Sequence, residues 1–321
     1  MDRPDLELVN AIRLHGSLAG AARSLGLSPP AATRRLAALE SQLGVRLFQR
    51  STRHVAPTAE GETLCARARE LLQGFADTEA EIRERRSTPA GPIRLVGTFG
   101  FGRQWLAPAL ASFQVQYPAV QIQLHLTEQL PELASEGYDG AVWLWHAPRT
   151  RMAQWTSRRL ARNQRVLVAS ACYVASHGAP THPDDLQHHA CLVVRENLEP
   201  GQRQDHWHLH HAGSGQPASV SVRGPLSSNA GEVVRDWCLA GHGIMLRSLW
   251  DVAPLLESGA LVRILPGWSM PDADIHWLAP YRPQVPRRIR LLVDFLAGLF
   301  RGEPWRPVSA PAAPPGSPRR R

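Results

Sequence analysis

The stretch of sequence that decides the N-terminal fold is residues 17–61, SLAGAARSLGLSPPAATRRLAALESQLGVRLFQRSTRHVAPTAEG. Ser17 can cap a short helix that contains an Ala-Ala pair, whose small side chains let another helix cross closely. Gly26-Leu27 predicts a tight turn. Ser28 followed by Pro29 predicts the start of a third helix, because proline at the first helical position lacks only an N–H that would stay unbonded. This is the plan of a helix-turn-helix, in which the last helix enters the major groove of DNA with its N-terminal end first.

A small β-hairpin is predicted next, over residues 45–57. Val45 and Leu47 alternate with polar residues, a polar turn follows, and a second short strand returns. Arg50, Arg53 and His54 would lie at the tip of this wing, where they could reach phosphates.

Residues 59–85 predict a long helix capped by Thr58, spanning roughly 40 Å at 1.5 Å per residue. Its apolar stripe has spacings of four and three, as in helices that pack on a partner helix. The stripe comprises Leu64, Ala68, Leu71, Phe75, Thr78 and Ile82. Two interpretations are open: the helix either lies as an amphipathic helix on its own domain or pairs with a second copy as a dimerisation seam. We favour the dimerisation seam, because a dimer reads twice as many base pairs as a single head. Residues 87–92 predict a hinge.

Short apolar runs alternate with helical segments between residues 92 and 301, which predicts a layered α/β domain. The predicted strands are 93–96, 120–126, 140–145, 165–169, 191–194, 220–223, 244–246, 261–264 and 275–279. The predicted helices lie near 105–116, 130–135, 230–240 and 287–300. In open sheets of this kind, ligands bind at the carboxyl ends of the strands.

Composition sets broad limits on function. The 321 residues allow two or three domains, and the net charge of +8 suits an anionic partner such as nucleic acid. Residues 1–60 hold eight arginines against five carboxylates, so the charge does not single out a DNA-binding face. The four cysteines form no CxxC motif, and no signal peptide or long apolar run is visible. We therefore expect a cytoplasmic, nucleoid-associated protein with no membrane span.

Residues 17–61 resemble, without gaps, the N-terminal domain of the LysR-type transcriptional regulators. The matching elements are the Ala-Ala pair, SxxAxxRRLxxLExxLGxxLF from Ser28, and RxxRxxxPTxxG from Arg50. Pro29 departs from the family, because many members have Gln there, so base reading is expected to move to Thr33 and Arg34. The resemblance implies a DNA-binding set of Ser17, Ser28, Pro29, Pro30, Ala31, Thr33, Arg34, Arg35, Arg50, Arg53 and His54.

The resemblance continues, less strictly, in residues 93–126, 138–145 and 227–248. It implies a two-lobed α/β domain similar to type II periplasmic binding proteins, with a small-molecule effector in the cleft. Lobe I would comprise about 92–160 plus 266–301 and lobe II about 163–265, with crossovers near 160–165 and 265–270. The implied effector-binding residues are Thr98, Phe99, Gly100, Thr127, Glu128, Ser228 and Asn229, although Ser228 and Asn229 could be helix caps alone. Trp143 and Trp145 either line the cleft or are buried in the lobe.

Other patterns in the sequence predict no additional binding or catalytic site. His206, His208 and His210 would share one face of a strand, but no acidic or cysteine ligand is near in sequence, so no metal is expected. The glycines of residues 97–102 run GxxGxG, which is not a nucleotide-binding order, and no catalytic motif occurs, so neither enzyme activity nor a cofactor is expected. The proline-rich tail, 302–321, predicts a disordered basic segment.

The predicted function is a DNA-binding regulator whose DNA binding or bending a small effector controls. Its partners would be double-stranded DNA, the effector and further copies of itself as a dimer or tetramer, with RNA polymerase a candidate. The alternative is a cytoplasmic solute-binding protein or enzyme on the two-lobed fold, in which residues 92–301 would work alone.

Overall fold

The computed structural model describes residues 1–50, 55–84, 89–144, 155–195, 205–271, 273–282 and 284–306. The N-terminal head has three helices and a two-stranded hairpin, followed by a long helix. These elements are α1 (Arg3–His15), α2 (Leu18–Ser24), α3 (Pro29–Leu43), β1 (Phe48–Arg50), β2 (Val55–Pro57) and α4 (Ala59–Glu84). Strands β1 and β2 pair antiparallel, with Phe48 opposite Pro57.

Side-chain caps set the helix boundaries of the head. Ser17 accepts a hydrogen bond from the amide of Gly20, and Ser28 accepts one from the amide of Ala31, so both predicted N-caps are confirmed. Gly44 ends α3 in the left-handed conformation, with φ of 70°. The three helices, the base of the hairpin and the start of α4 enclose one buried core. It includes Val9, Ile12, Ala21, Ala22, Ala32, Leu36, Leu39, Phe48 and Cys65.

Helix α4 divides into two parts. Near its start, Cys65 and Ala68 are buried and Leu64 packs against the core of the head. Farther along, Leu71, Phe75 and Ile82 are exposed, with 47% of Phe75 accessible. The interpretation of a helix lying on its own domain therefore holds for the first part, and the second part leaves an apolar stripe uncovered.

The region after residue 90 contains two sheets with helices packed on them. Its strands are β3 (Gly91–Gly97), β4 (Val120–Leu126), β5 (Gly140–Trp143), β6 (Trp155–Ala161), β7 (Arg165–Ser170), β8 (Cys191–Val194), β9 (His206–His211), β10 (Pro217–Ser221), β11 (Ser227–Ser228), β12 (Ile244–Ser248), β13 (Leu261–Met270) and β14 (Ile275–Pro280). Its α-helices are α5 (Phe99–Phe101), α6 (Ala107–Gln116), α7 (Ala171–His177), α8 (Gly231–Leu239), α9 (Leu249–Glu257) and α10 (Arg287–Phe300). A π-helical stretch, Gly102–Leu106, joins α5 to α6, and a 3-10 helix covers Pro183–His188.

Each sheet forms one lobe. Lobe I has five strands in the order β4-β3-β5-β14-β6, and lobe II has seven in the order β10-β9-β13-β7-β12-β8-β11. Strand β3 pairs parallel with both β4 and β5, so the loops after these strands open at one edge of the sheet. The chain passes between the lobes twice, at 162–164 and again after Met270.

The second crossover corrects the sequence prediction. It was expected near 265–270, yet β13 stays in lobe II to its end, where Met270 pairs with Arg165. A register shift between Ile264 and Ser269, with Leu265 at φ of 46°, lets the strand resume pairing after an interruption. Residues 266–270 therefore belong to lobe II, because a bulge lengthens the strand without ending it.

Three smaller expectations are also corrected or decided. Residues 133–137 form a turn rather than the predicted helix near 130–135, and the turn closes where the amide of Tyr138 donates to the carbonyl of Leu133 at 2.8 Å. Trp143 is buried in lobe I, and Trp145 lies outside the described residues. The tail prediction for 302–321 began too early, because Trp305 is buried against Phe101 and Phe300.

Candidate DNA-binding face and effector cleft

Helix α3 presents one face away from the head. Residues at spacings of three and four, opposite the buried stripe of α3, form this outward face, and all are exposed. They are Pro30, Arg34, Ala37 and Ser41. Ala37 and Ser41 were not among the residues singled out from sequence, although the helical period of α3 alone would have placed them there.

The two adjacent arginines of α3 have different surroundings. Arg35 donates from Nη2 to Asp2 Oδ1 at 2.6 Å and from Nε to Asp5 Oδ1 at 2.7 Å, which ties α3 to the start of α1. The bond from Arg35 is the main cause that lowers the pKa of Asp2, so this carboxylate stays charged at neutral pH. The side chain of Arg34 makes no hydrogen bond or ion pair with the part of the chain that the structure describes.

The remaining predicted DNA-binding residues lie at the helix starts or in the wing. Ser17 and Ser28 cap α2 and α3, with Pro29 and Pro30 exposed and Ala31 half-buried beside Ser28. Thr33 donates from Oγ1 to the carbonyl of Pro29 at 2.9 Å, so its hydroxyl is bonded within its own helix. The backbone of Arg50 ends β1, whereas its side chain and residues Arg53 and His54 lie outside the described residues.

The lobes touch through aromatic and charged side chains. Trp250 is the second residue of α9 in lobe II, yet it is 2% exposed and its ring lies edge-on to Phe101 of lobe I, with centroids 5.3 Å apart. Trp105 donates from Nε1 to the carbonyl of Trp250 at 3.3 Å. Arg103 of lobe I pairs with Glu232 of α8. These contacts bring the end of β12 against the loop that follows β3.

A buried charge cluster lies between the two lobes. The side chain of Arg247, at the end of β12, is 5% exposed and donates from Nε to Asp251 Oδ2 at 2.5 Å. The Asp251 side chain is fully buried and also accepts from Arg235 Nη1 at 2.6 Å. A Cβ on Gly231 would fall 1.8 Å from Arg247 Nη1, and one on Gly100 would fall 3.3 Å from Nη2. The guanidinium of Arg247 therefore lies between the start of α8 and the loop after β3.

Four of the predicted effector residues come together on the lobe I side. Thr98 is 2% exposed, and the amide of Phe99 donates to Glu128 Oε1 at 2.9 Å, which holds the loops after β3 and β4 together. Gly100 borders Arg247. Thr127 instead shares hydrogen bonds with Gln129 inside its own turn.

On the lobe II side, Ser228 accepts from the amide of Ala230 at 3.1 Å, and the exposed Asn229 follows it. Both lead into Gly231, the first residue of α8. Arg235, Arg247, Trp250 and Asp251 were missed from sequence. An available signal was an arginine at the end of an apolar strand with a carboxylate four residues later, a spacing that allows an ion pair on one helical turn.

The head contacts lobe I through Arg69 of α4. Arg69 donates from Nε to Asn10 Oδ1 at 3.2 Å and from Nη1 to the carbonyl of Ser135. The turn containing Ser135 is held by Arg94, which donates to the carbonyl of Gly137 at 3.2 Å. A cavity of about 1000 Å³ lies alongside, between α1, α4 and lobe I.

Two further features bear on function. Strand β9 places His206, His208 and His210 on its more exposed face, as expected, but the described ranges contain no cluster of three or more side chains placed to hold a metal. Within those ranges, no helix combines the length and apolar character that crossing a membrane requires.

The head, the long helix and the two-lobed domain define a DNA-binding transcriptional regulator that carries its own effector domain. Residues 4–62 match the family described as "Bacterial regulatory helix-turn-helix protein, lysR family", and residues 86–301 match the "LysR substrate binding domain". The chain belongs to the LysR family.

Known proteins agree with this assignment along nearly the whole chain. The transcriptional regulator DmlR of Escherichia coli strain K12 is 36% identical over 296 residues, covering 92% of this chain and 94% of its own. The transcriptional activator TtdR of the same strain is 36% identical over 296 residues, which cover 91% of this chain and 92% of TtdR. The full-length Vibrio cholerae virulence activator AphB is similar in structure, with a TM-score of 0.60 and 28% identity, and the match covers 93% of this chain and 99% of AphB. CrgA of Neisseria meningitidis has a TM-score of 0.57, 27% identity and the same coverage.

Proposed function

We propose that this regulator binds operator DNA as a homodimer through the outward face of α3, and that an effector in the cleft controls the DNA-bound form. The observation that carries the DNA-reading role is Arg34, which is exposed on that face with no partner in the described residues. Arginine is suited to this role because its fork bonds guanine or phosphate bidentately. In this proposal Thr33, Pro30 and the wing lie alongside, and Ser17 and Ser28 lie near the phosphates.

The exposed second part of α4 is the proposed dimer seam. Leu71, Phe75 and Ile82 continue the heptad stripe beyond the point where the head covers it. Pairing α4 with its copy would bury these side chains and place two heads on successive half-sites, as dimeric helix-turn-helix proteins require. Two such dimers could form a tetramer. We place the protein in the cytoplasm, and we propose no catalytic activity for it.

Arg69 is the proposed route from the cleft to the head. The segment 127–139 joins β4 to β5, and it has Glu128 at the cleft near one end and the Ser135 turn nearer the other. Arg69 connects that turn to α1 through Asn10. A shift of the loop after β4 on effector binding would therefore reach the head through these hydrogen bonds.

The test is a mobility-shift titration of the full-length protein with DNA from upstream of its own gene, over a range of salt concentrations. We expect binding that weakens with salt, because phosphate contacts release counterions, and that is lost with Arg34→Ala. A folded dimer that binds no genomic fragment would contradict the proposal.

A further inference from the structure

We propose that the start of α3 selects thymine in each half-site of the operator, through contact of Pro29 and Pro30 with the 5-methyl group of that base. This inference rests on the proposed function of α3 as the DNA-reading helix, and it adds which base the start of the helix prefers. Pro29 and Pro30 together are called the proline tip below.

The proline tip is an exposed apolar surface. Pro29 and Pro30 are the first two residues of α3, and both are exposed. Leu27, just before the Ser28 cap, is exposed as well, with 36% of its surface accessible. A helix-turn-helix inserts its recognition helix with the N-terminal end first, so the ring carbons of the tip are placed to meet base edges in the major groove.

The backbone at the start of α3 has no donor to spare for a base. A proline carries no N–H, so the first two positions lack the donors that a helix start usually exposes. The amide of Ala31 donates to Ser28 Oγ at 3.3 Å, and the amide of Ala32 donates to the carbonyl of Ser28 at 3.1 Å. In the described residues 29–32, no amide proton is therefore left to reach a base.

The hydroxyl nearest the tip on α3 is also used within the helix. Thr33 is one turn after Pro29 and lies on the same side of α3. Its Oγ1 donates to the carbonyl of Pro29 at 2.9 Å, which occupies both the proton of Thr33 and the oxygen of Pro29. The tip itself therefore presents carbon and hydrogen to whatever it touches.

Thymine is the base whose major-groove edge suits such a surface. Its 5-methyl group is the apolar feature among the base edges in this groove, whereas guanine, adenine and cytosine present acceptors or donors. Ring carbons placed over a donor or an acceptor remove it from water without a new hydrogen bond, which is costly. Ring carbons placed over a methyl group bury apolar surface, which is favourable. Both effects favour thymine beneath the proline tip.

The first experiment changes the DNA and leaves the protein unaltered. Binding sites are obtained by sequencing the DNA that the full-length protein retains from its fragmented genome. Each thymine of a half-site is then replaced by uracil, which lacks only the 5-methyl group, and Kd is measured by fluorescence anisotropy.

We expect one thymine position at which uracil weakens binding about fourfold, and about 15-fold when both half-sites carry it, as the burial of one methyl group per half-site predicts. Binding of every uracil duplex within about twofold of the thymine duplex would overturn the proposal.

Glutamine variants assign the uracil effect to the proline tip. Loss of the effect in Pro29→Gln or in Pro30→Gln supports the proposal, because an amide then replaces the ring carbons. Pro4→Gln is the matched control, since Pro4 is an exposed proline in the first turn of α1, and it should keep the full effect with a similar melting temperature. The full effect in both tip variants would overturn the proposal, because the methyl group would then act through another residue or through DNA shape. Loss of the effect in Pro4→Gln would overturn it too.

The same titrations distinguish this inference from the proposed function. If the protein binds specific sites that Arg34→Ala loses, and uracil has no effect, the thymine inference fails while the proposed function stands. If the protein retains no specific DNA, the proposed function fails and the thymine inference fails with it.

Discussion

Replacing Arg34 with alanine should weaken operator binding strongly and leave the fold intact. The side chain has no partner to lose in the described part of the chain, and alanine is the strongest helix former, so the thermal midpoint should stay unchanged or rise slightly. A bidentate contact from arginine to guanine contributes about 1–3 kcal/mol. Two heads change together in a dimer, so the loss is about 2–6 kcal/mol, or at least about 30-fold in Kd.

The assay is fluorescence anisotropy with a labelled operator duplex, repeated over a salt series. Arg67→Ala is the matched control, because it removes the same charge from α4 at a side chain that is 71% exposed and paired only with Glu70 among the ion pairs found. If Arg34 contacts a base, Arg34→Ala should lose sequence preference at one base pair of each half-site. If Arg34 contacts a phosphate, the slope of the logarithm of the binding constant against the logarithm of salt concentration should become smaller by about 1 per head. Binding by Arg34→Ala within about twofold of the control would refute the role assigned to α3.

Three other perturbations test separate parts of the structure. Phe75→Glu should shift the protein toward monomer in sedimentation velocity, because it puts a charge in the exposed apolar stripe of α4. Leu299→Glu, which puts the same charge on an exposed leucine of α10, should leave the protein dimeric. Equal effects of the two substitutions would argue against α4 as the dimer seam. Burial raises the pKa of Cys191 and Cys238 to about 12 and also raises the pKa of the buried Cys65. At pH 8 these three thiols therefore stay protonated, and only the exposed Cys172 should react quickly with a disulfide reagent. Two or more fast thiols in the native protein, or a fast thiol remaining in Cys172→Ser, would contradict this. Arg69→Ala should speed amide exchange in residues 133–137, measured by hydrogen-exchange mass spectrometry, because it removes the hydrogen bond to the carbonyl of Ser135. Arg67→Ala is the control and should leave this exchange unchanged. Identical exchange in the two variants would show that the contact between Arg69 and Ser135 does not form in solution.

The head was largely predictable because local sequence determines it. Ser17, Ser28 and Gly44 act through their own neighbouring backbone, and the apolar period of α3 identifies its core stripe without tertiary information. The different role of Arg35 was not predictable from the helix-turn-helix pattern. It depends on Asp2 and Asp5, which reach α3 only when α1 folds against it.

Strands with polar sequences were the main omission in the effector domain. Strand β6 was missed because it is the outer strand of its sheet, and its exposed Thr-Ser-Arg-Arg residues remove the apolar alternation. By contrast, α10 has the predicted bounds, 287–300, since its apolar period is complete.

The candidate effector site likewise has a part that the sequence predicts and a part that depends on tertiary contacts. The loop containing Thr98 and Gly100 was found by its position after a strand, together with the family resemblance. Arg247 was missed because its surroundings come from Gly231 and Gly100, which approach it only in the folded domain. Its partner Asp251 was within reach of sequence reasoning at a spacing of four.

The most direct test of the central claim, that this chain is a sequence-specific dimeric DNA-binding regulator, is to sequence the DNA that the purified protein retains from its fragmented genome. We expect a few strongly enriched sites with two-fold related halves about one helical turn apart, and we expect Arg34→Ala to lose them. Retention without any enriched sequence, or enrichment that persists in Arg34→Ala, would contradict it.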